Sequence, residues 1–408
     1  MKKLSYEWKL VLLLAVLFGI VGLDRFVVLY LFPVIIPELG LNNMQAGAIA
    51  SVLAFTWAIS TWVLGSMSDK YGRKRVLIYS TLFFSLMTWM TAIAKSFTSM
   101  LVIRGLLGIG EGGVFSTSVA AIASASSPEK KGLNLGIHQA FFPLLGIGLG
   151  PIIATQLNNY MPWEMVFIVV GVPGVLLAWC LARFMREPAR EAPSAHGVSS
   201  DGAFAALRYR NIWVATVVSC CFQTGLFVFS TFVALYLTQV IGLELSTVGL
   251  IVSGWGFGGF FGMIIMPALS DRVGRRPIMI VCAAAYSALM LVFALYPLPP
   301  AGMFALLFIA GVFGFGIAPI FLAIIPAETV PARMTGSAVG IPTCIGEMLG
   351  GVLMPIVAGG LADAFGLQYP MMIVGVAFAA IAIVSVAFIE TAPRAIASAA
   401  VPERATPL

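Results

Sequence analysis

Five ionisable side chains interrupt the apolar stretches of this chain: Asp24 and Arg25 in one run, Arg104 and Glu111 in another, and Glu347 far downstream. A mid-helix charge costs about 2.5–3.5 kcal/mol to insert in a bilayer, so it persists where a partner or an aqueous cavity receives it. Arginine is planar and permanently charged, and it can grip a carboxylate through two parallel hydrogen bonds. A carboxyl in a low-dielectric wall can carry a proton near neutral pH. Two acids and two arginines in the first half of the chain therefore predict a site that handles an anion and a proton. Arg25 is the candidate anion ligand and Glu111 the candidate proton carrier; Asp24 is a second proton carrier or the residue that fixes Arg25. An arginine opposes protonation of a nearby acid, and an anion bound to Arg25 would relax that opposition. Anion and proton would then favour each other's binding.

Helix geometry limits how these groups meet. Neighbours on a helix point about 100° apart, so Asp24 and Arg25 cannot share a direction, and Arg104 and Glu111 stand roughly 10 Å apart along their axis. Partners on other helices are expected, Asp24 with Arg104 and Arg25 with Glu111. Arg104, nearer a helix end, could instead attract anions. The purely structural alternative is a buried network that locks one helix to another. Glu347 stands alone in IGEMLGG, as a proton site, a specificity residue or a protonated acid on a carbonyl. His138, beside Gln139, is a packing residue or a gate. Gln223 and Thr224 are candidate polar contacts for a substrate.

The elements that must hold these groups are helices in lipid. The chain is 60% hydrophobic and 10% charged, with mean hydropathy +1.01, against roughly 25% charged residues in soluble domains. Apolar windows predict an all-α membrane protein with twelve spans. These run at about 10–36, 44–67, 76–94, 98–124, 132–158 and 163–184, then about 211–240, 246–269, 278–296, 302–327, 335–361 and 369–389. The division expected is a first six-helix bundle over 1–185, a polar linker over 186–210, and a second bundle with its tail over 211–408. Met1-Lys2-Lys3 and the run after it read as an uncleaved first helix. The net charge of +6 and pI near 9.1 arise from loop Lys and Arg, not from a nucleic-acid surface. With both termini cytoplasmic, every Lys and Arg except Lys95, Arg25 and Arg104 falls on the inner side, as the positive-inside rule requires. The five cysteines lack metal-ligand spacing and read as small packing residues.

The two halves repeat each other. Ser68-Asp69-Lys70-Tyr71-Gly72-Arg73-Lys74 recurs as Ser270-Asp271-Arg272-Val273-Gly274-Arg275-Arg276. Gly105, Gly108, Gly110 and Phe115 recur as Gly311, Gly314, Gly316 and Phe321, and Gly146 and Pro151 as Gly350 and Pro355. Parallel repeats of six helices mark a carrier that rocks about a midplane site. The first of these stretches, with Gly65, Asp69, Lys70, Gly72, Arg73 and Lys74, resembles the G-x-x-x-D-[RK]-x-G-[RK]-[RK] signature of the major facilitator superfamily. Asp271, Arg272, Gly274, Arg275 and Arg276 form the second copy, with Pro267 in place of its first glycine. The resemblance implies a major facilitator fold, a gating role for this loop as a cytoplasmic latch, and a cavity lined by helices 1, 4, 7 and 10. It also implies a monomer in the cell inner membrane.

Within that superfamily, Asp24-Arg25 and RGLLGIGE resemble the anion:cation symporters and, second, the spinster-type carriers. The first resemblance implies proton-coupled uptake of a small organic anion, a carboxylate, with Arg25, Arg104, Gln223 and His138 as substrate contacts. Glu111, Asp24 and Glu347 would carry protons. The second, together with GIGLGP over 146–151, implies efflux of drugs or amphiphiles against protons. A membrane sensor on the same fold is a third class, disfavoured because no output module is visible. Enzyme chemistry and primary active transport have no support: there is no P-loop, no metal cluster and no cofactor motif. The glycines of the fourth helix follow no strand and read as close-packing residues, not a nucleotide loop. An ion gradient is then the energy source, at about 2.3 kcal/mol per charge per 100 mV, or roughly fiftyfold accumulation.

Overall fold

The computed structural model describes residues 5–127, 130–187, 203–296, 298–331 and 334–392. Most of the expected linker over 186–210, and the tail beyond 392, lie outside the described residues. Among the described residues the regular structure is helical. Eleven helices are long and apolar enough to cross a membrane: α1 (Tyr6–Tyr30), α2 (Asn43–Tyr71), α4 (Phe97–Ala125), α5 (Lys131–Asn158), α6 (Trp163–Phe184), α7 (Arg210–Val240), α8 (Leu245–Val273), α9 (Arg275–Leu295), α10 (Pro300–Thr329), α11 (Thr335–Phe365) and α12 (Gln368–Ser385). The twelfth span, α3 (Arg73–Thr91), is less apolar because it turns Ser80, Thr81, Ser85, Thr88 and Thr91 into the bundle. Together they form the two six-helix repeats of an all-α membrane protein.

Sequence sets the helix ends. Asn42 with Gln45 and Ser96 with Ser99 form capping boxes at the starts of α2 and α4, satisfying N–H groups that a helix start leaves unpaired. The first span stops earlier than its apolar run suggests. Pro33, which fixes its own φ and disfavours helix before it, separates α1 from a short helix, Phe32–Leu39, that ends at Gly40. Between α2 and α3 the chain turns at Gly72, φ 103°, and between α8 and α9 at Gly274, φ 116°. A side chain is strained at either position.

Small residues let the helices approach closely. Gly108 and Gly112 of α4 sit against the backbone of α2 at Leu53 and Trp57, and Ser60 Oγ donates to the Gly108 carbonyl at 3.1 Å. Such contacts are how helices associate where no hydrophobic effect separates them from lipid. Trp62, Tyr79, Trp179 and Ile383 are among the exposed large side chains, where lipid would lie. Four helices contain a wide π-helical turn: Phe142–Leu149 in α5, Tyr236–Val240 in α7, Ile320–Ile324 in α10 and Glu347–Leu353 in α11. Those of α5 and α11 occupy matching places in the two repeats.

The halves meet along α2 with α11 and α5 with α8, near the face opposite the termini. Gly47 approaches the Pro355 carbonyl, and Gly249 the Pro151 carbonyl. Nearer the termini, Gly132 and Gly136 of α5 and Gly336 and Gly340 of α11 have open space where a Cβ would stand.

Candidate functional site

Helices α1 and α7 are the most enclosed of the bundle, and they carry the site with α4 and α11. Arg25 projects from α1 toward the second half. Its Nη2 donates to Glu347 Oε1 at 2.7 Å, and both side chains are buried. Its guanidinium lies over the rings of both Trp57 on α2, 5.2 Å from the centroid, and Phe227 on α7, 4.8 Å away. Arginine suits such a place because its weakly hydrated plane stacks on aromatic faces while its edge keeps its donors. Gln223 Nε2 donates to the other oxygen of Glu347, which opens the wide turn of α11. Glu347 therefore does not stand alone: it joins α11 to α1 and α7.

Arg104 is 1% exposed. Its two terminal nitrogens donate to backbone carbonyls of α1, Nη1 to Asp24 at 3.2 Å and Nη2 to Arg25 at 2.7 Å. It holds the segment that carries the acid and the arginine and forms no pair with the Asp24 carboxylate. Asp24 instead accepts from Thr88 Oγ1 at 2.7 Å through Oδ2, while Oδ1 has no partner among the described residues. Glu111 is fully buried, and neither of its oxygens has a hydrogen-bond partner among the described residues. The expected pairs Asp24–Arg104 and Arg25–Glu111 are thus replaced by Thr88–Asp24 and Arg25–Glu347. Both replacements lie on helices that the sequence argument did not link to α1.

His138 lies apart from this cluster, stacked on Phe18 with centroids 4.6 Å apart and planes at 9°. Its two ring nitrogens have no hydrogen-bond partner among the described residues. Thr224 caps nothing beyond its own helix, donating to the Cys220 carbonyl at 2.8 Å.

The two glycine-arginine turns are built alike. Arg73 reaches the Ala120 carbonyl of α4 at 3.0 Å and Asp69 at 3.6 Å, and it also contacts Ser124. Arg275 meets Asp271 at 2.6 Å, Glu328 of α10 at 2.9 Å and Ser270 Oγ at 2.7 Å. Each turn is also received by an acid that the sequence argument overlooked. Glu187 accepts the N–H groups of Arg73 and Lys74 at 2.7 and 3.1 Å; Glu390 accepts those of Arg275 and Arg276 at 2.8 and 3.1 Å. The signal was present, since the acids follow α6 and α12 at matching places in the repeats. Thr88, Trp57 and Phe227 gave no such signal, being uncharged residues in apolar helices.

Comparison with known proteins agrees with this architecture. The family model of the Major Facilitator Superfamily matches residues 14–346. A protein of Cupriavidus necator described as a "Probable sulfoacetate transporter" is 30% identical over 280 residues, a match spanning 64% of this chain and 64% of that protein. The cis,cis-muconate transport protein of Acinetobacter baylyi is 26% identical over 402 residues, 95% of each chain. Among solved structures, a bacterial homologue of the human lysosomal transporter Spinster, inward-facing and unoccupied, superposes with a TM-score of 0.74 at 18% identity, covering 95% of this chain and 98% of that one. The chain is a multi-pass membrane protein of the Major Facilitator Superfamily, a transporter and not an enzyme.

Proposed function

We propose that the protein is a secondary carrier that takes up a small organic carboxylate together with protons, by alternating access of residues 1–185 against 211–408 across the linker 186–210. The observation that carries this reading is Arg25: a buried guanidinium at the junction of the two halves, close to two aromatic rings and already holding a carboxylate. A permanent cation in that position favours an anion over a neutral or cationic cargo. The cargoes named for the sulfoacetate and muconate transporters are of this class. Asp24 and Glu111, each with unpartnered carboxyl oxygen, are the proton carriers nearest to it in the first half. Gln223 steadies Glu347, Arg104 acts by positioning α1, and His138 packs against Phe18.

The basic loops support a cell-membrane carrier with both termini cytoplasmic, and we take the working unit to be a monomer. In that orientation the ties between α2 and α11 and between α5 and α8 lie at the outer face, and the bare glycines of α5 and α11 face the cytoplasm. The gate closed here is then the outer one.

A second reading, efflux of amphiphiles against protons, draws on the GIGLGP stretch in α5. Proton flux in proteoliposomes separates the two, with sulfoacetate, cis,cis-muconate and a lipophilic cation as probes and a pH dye inside. Proton entry with a carboxylate, lost in Arg25→Ala, supports uptake. Proton movement only with the lipophilic cation, and opposite to it, replaces uptake with efflux.

A further inference from the structure

The ion pair between Arg25 and Glu347 crosses from one half of the carrier to the other. Each oxygen of Glu347 is engaged, one by Arg25 and one by Gln223. Seen from Arg25, the Glu347 carboxylate sits where a carboxylate cargo would have to sit: against an edge of the guanidinium whose faces lie near Trp57 and Phe227. An anion can reach Arg25 only by taking that place or by sharing it, and two carboxylates sharing one guanidinium repel each other.

We propose that Glu347 is an internal stand-in for the cargo. In the empty carrier its carboxylate holds Arg25 and joins the halves; an arriving carboxylate displaces it, and the released Glu347 takes up one proton. This inference rests on the carboxylate-carrier reading above and assigns the coupling step to a residue of the second half. The exchange balances. Before it, Arg25 and ionised Glu347 sum to zero charge; after it, Arg25 and the cargo carboxylate sum to zero, and Glu347 is neutral with a proton taken from water. For the one carboxylate that meets Arg25, no uncompensated charge is left on the Arg25–Glu347 pair at either stage, which is the condition a buried ion pair imposes. The second anionic group of sulfoacetate or muconate stands outside this exchange.

Gln223 suits both stages. Its amide carries a donor and an acceptor, so it can donate to the carboxylate and, after reorientation, accept from the acid. The remaining groups around the pair do not supply a competing charge on the side of the second half. Helix α7 offers Gln223, the thiols of Cys220 and Cys221, and Phe227, and α2 offers Trp57 at this level. Asp24 on α1 and Arg104 and Glu111 on α4 complete the charged set in the first half. The wide turn that begins at Glu347 allows the residue to leave Arg25 without unwinding α11, and such turns recur at functional positions in helices.

The test uses full-length protein in lipid nanodiscs, with sulfoacetate and cis,cis-muconate as probes and proton uptake recorded on binding. The wild type is expected to take up one proton per probe from this exchange, with affinity falling as pH rises. Glu347→Gln is expected to bind the probe about tenfold tighter, a change within the usual range of coupling between two ligands of one site. That variant should lose the one proton that this exchange takes up and the pH dependence it brings, leaving whatever Asp24 and Glu111 contribute. Glu347→Asp, too short to hold Arg25 in the same way, is expected to bind more tightly while keeping proton uptake, and it serves if the Gln variant fails to fold. Binding and proton uptake unchanged in both variants would overturn the stand-in role while leaving the carboxylate reading intact. A wild type that binds neither probe would refute the carboxylate reading, and this inference with it.

Discussion

Asp363, near the end of α11, caps the first turn of α2 from the other half of the molecule. Its carboxylate accepts the N–H of Asn43 at 3.0 Å, the side-chain amide of Asn43 at 2.9 Å and the N–H of Met44 at 2.9 Å. The start of a helix leaves N–H groups unpaired and carries partial positive charge, so a carboxylate there is favoured twice over. The corresponding contact between α5 and α8 is neutral and single, Gln156 donating to the Ser246 carbonyl at 3.2 Å. The two halves are therefore tied more firmly between α2 and α11 than between α5 and α8.

Asp363→Asn keeps the shape and removes the charge. Charge-assisted hydrogen bonds contribute about 1.5–3 kcal/mol each to the state that makes them. The variant is expected to shift the conformational equilibrium about tenfold or more toward a gate open at this face. Spin-label distances between the outer ends of α2 and α11 report it; an unaltered distance distribution would show that the cap does not hold the gate.

Thr88 provides the hydrogen bond given to the Asp24 carboxylate. Thr88→Val leaves a buried carboxyl oxygen without that donor, at a cost of about 1–3 kcal/mol. The expected result is a lower thermal stability that Thr88→Ser restores, since serine returns the hydroxyl.

Gly72 and Gly274 turn the chain with φ values of 103° and 116°. Their Cβ positions would stand 3.2 Å from the Glu187 carboxyl and 2.8 Å from Glu390 Oε2. Alanine at either site combines backbone strain with crowding of the acid that receives the turn. Each variant is expected to lose about 1–3 kcal/mol of stability, and the loss should grow when both are combined, as measured by thermal unfolding in detergent.

Burial alone would raise the Glu390 carboxyl, but the N–H groups of Ala392, Arg275, Arg276 and Thr391 outweigh it and hold the group below the usual carboxylate range. A carboxyl more acidic in the folded than in the unfolded chain stabilises the fold above its unfolded value, and that contribution fades as pH falls through the folded value. Glu390→Gln is therefore expected to be less stable than wild type at neutral pH. The gap should narrow below about pH 4, where the unfolded carboxyl also begins to protonate. Denaturation curves at several pH values check it, and a gap that stays constant into acid would assign the loss to something other than charge.

The twelve spans were legible because lipid demands long apolar runs, and the repeat was legible because both halves keep the same turn chemistry around Gly72 and Gly274. The candidate site was legible as a set of residues, since charge in an apolar run has few reasons to exist. Its connections were not. Arg25 meets Glu347 across the junction of the halves, a distance along the chain that helix periodicity does not address. Arg104 binds carbonyls, which every residue has, so nothing in the sequence marks Asp24 and Arg25 as its backbone partners. Thr88 is one hydroxyl among several on α3 and became distinct only when packing set it beside Asp24.

The wide turns of α5 and α11 each accommodate more residues than an α-helical turn, and passing that surplus along the helix swings the side chains it crosses by about 100° apiece. A helix so built can re-aim part of one face while its two ends stay seated in their neighbours. Because Phe142–Leu149 and Glu347–Leu353 hold matching places in the repeats, a carrier working as proposed would have a means of turning Glu347 away from Arg25 by rotation within α11, in step with a similar rotation in α5, on top of any rocking of whole halves.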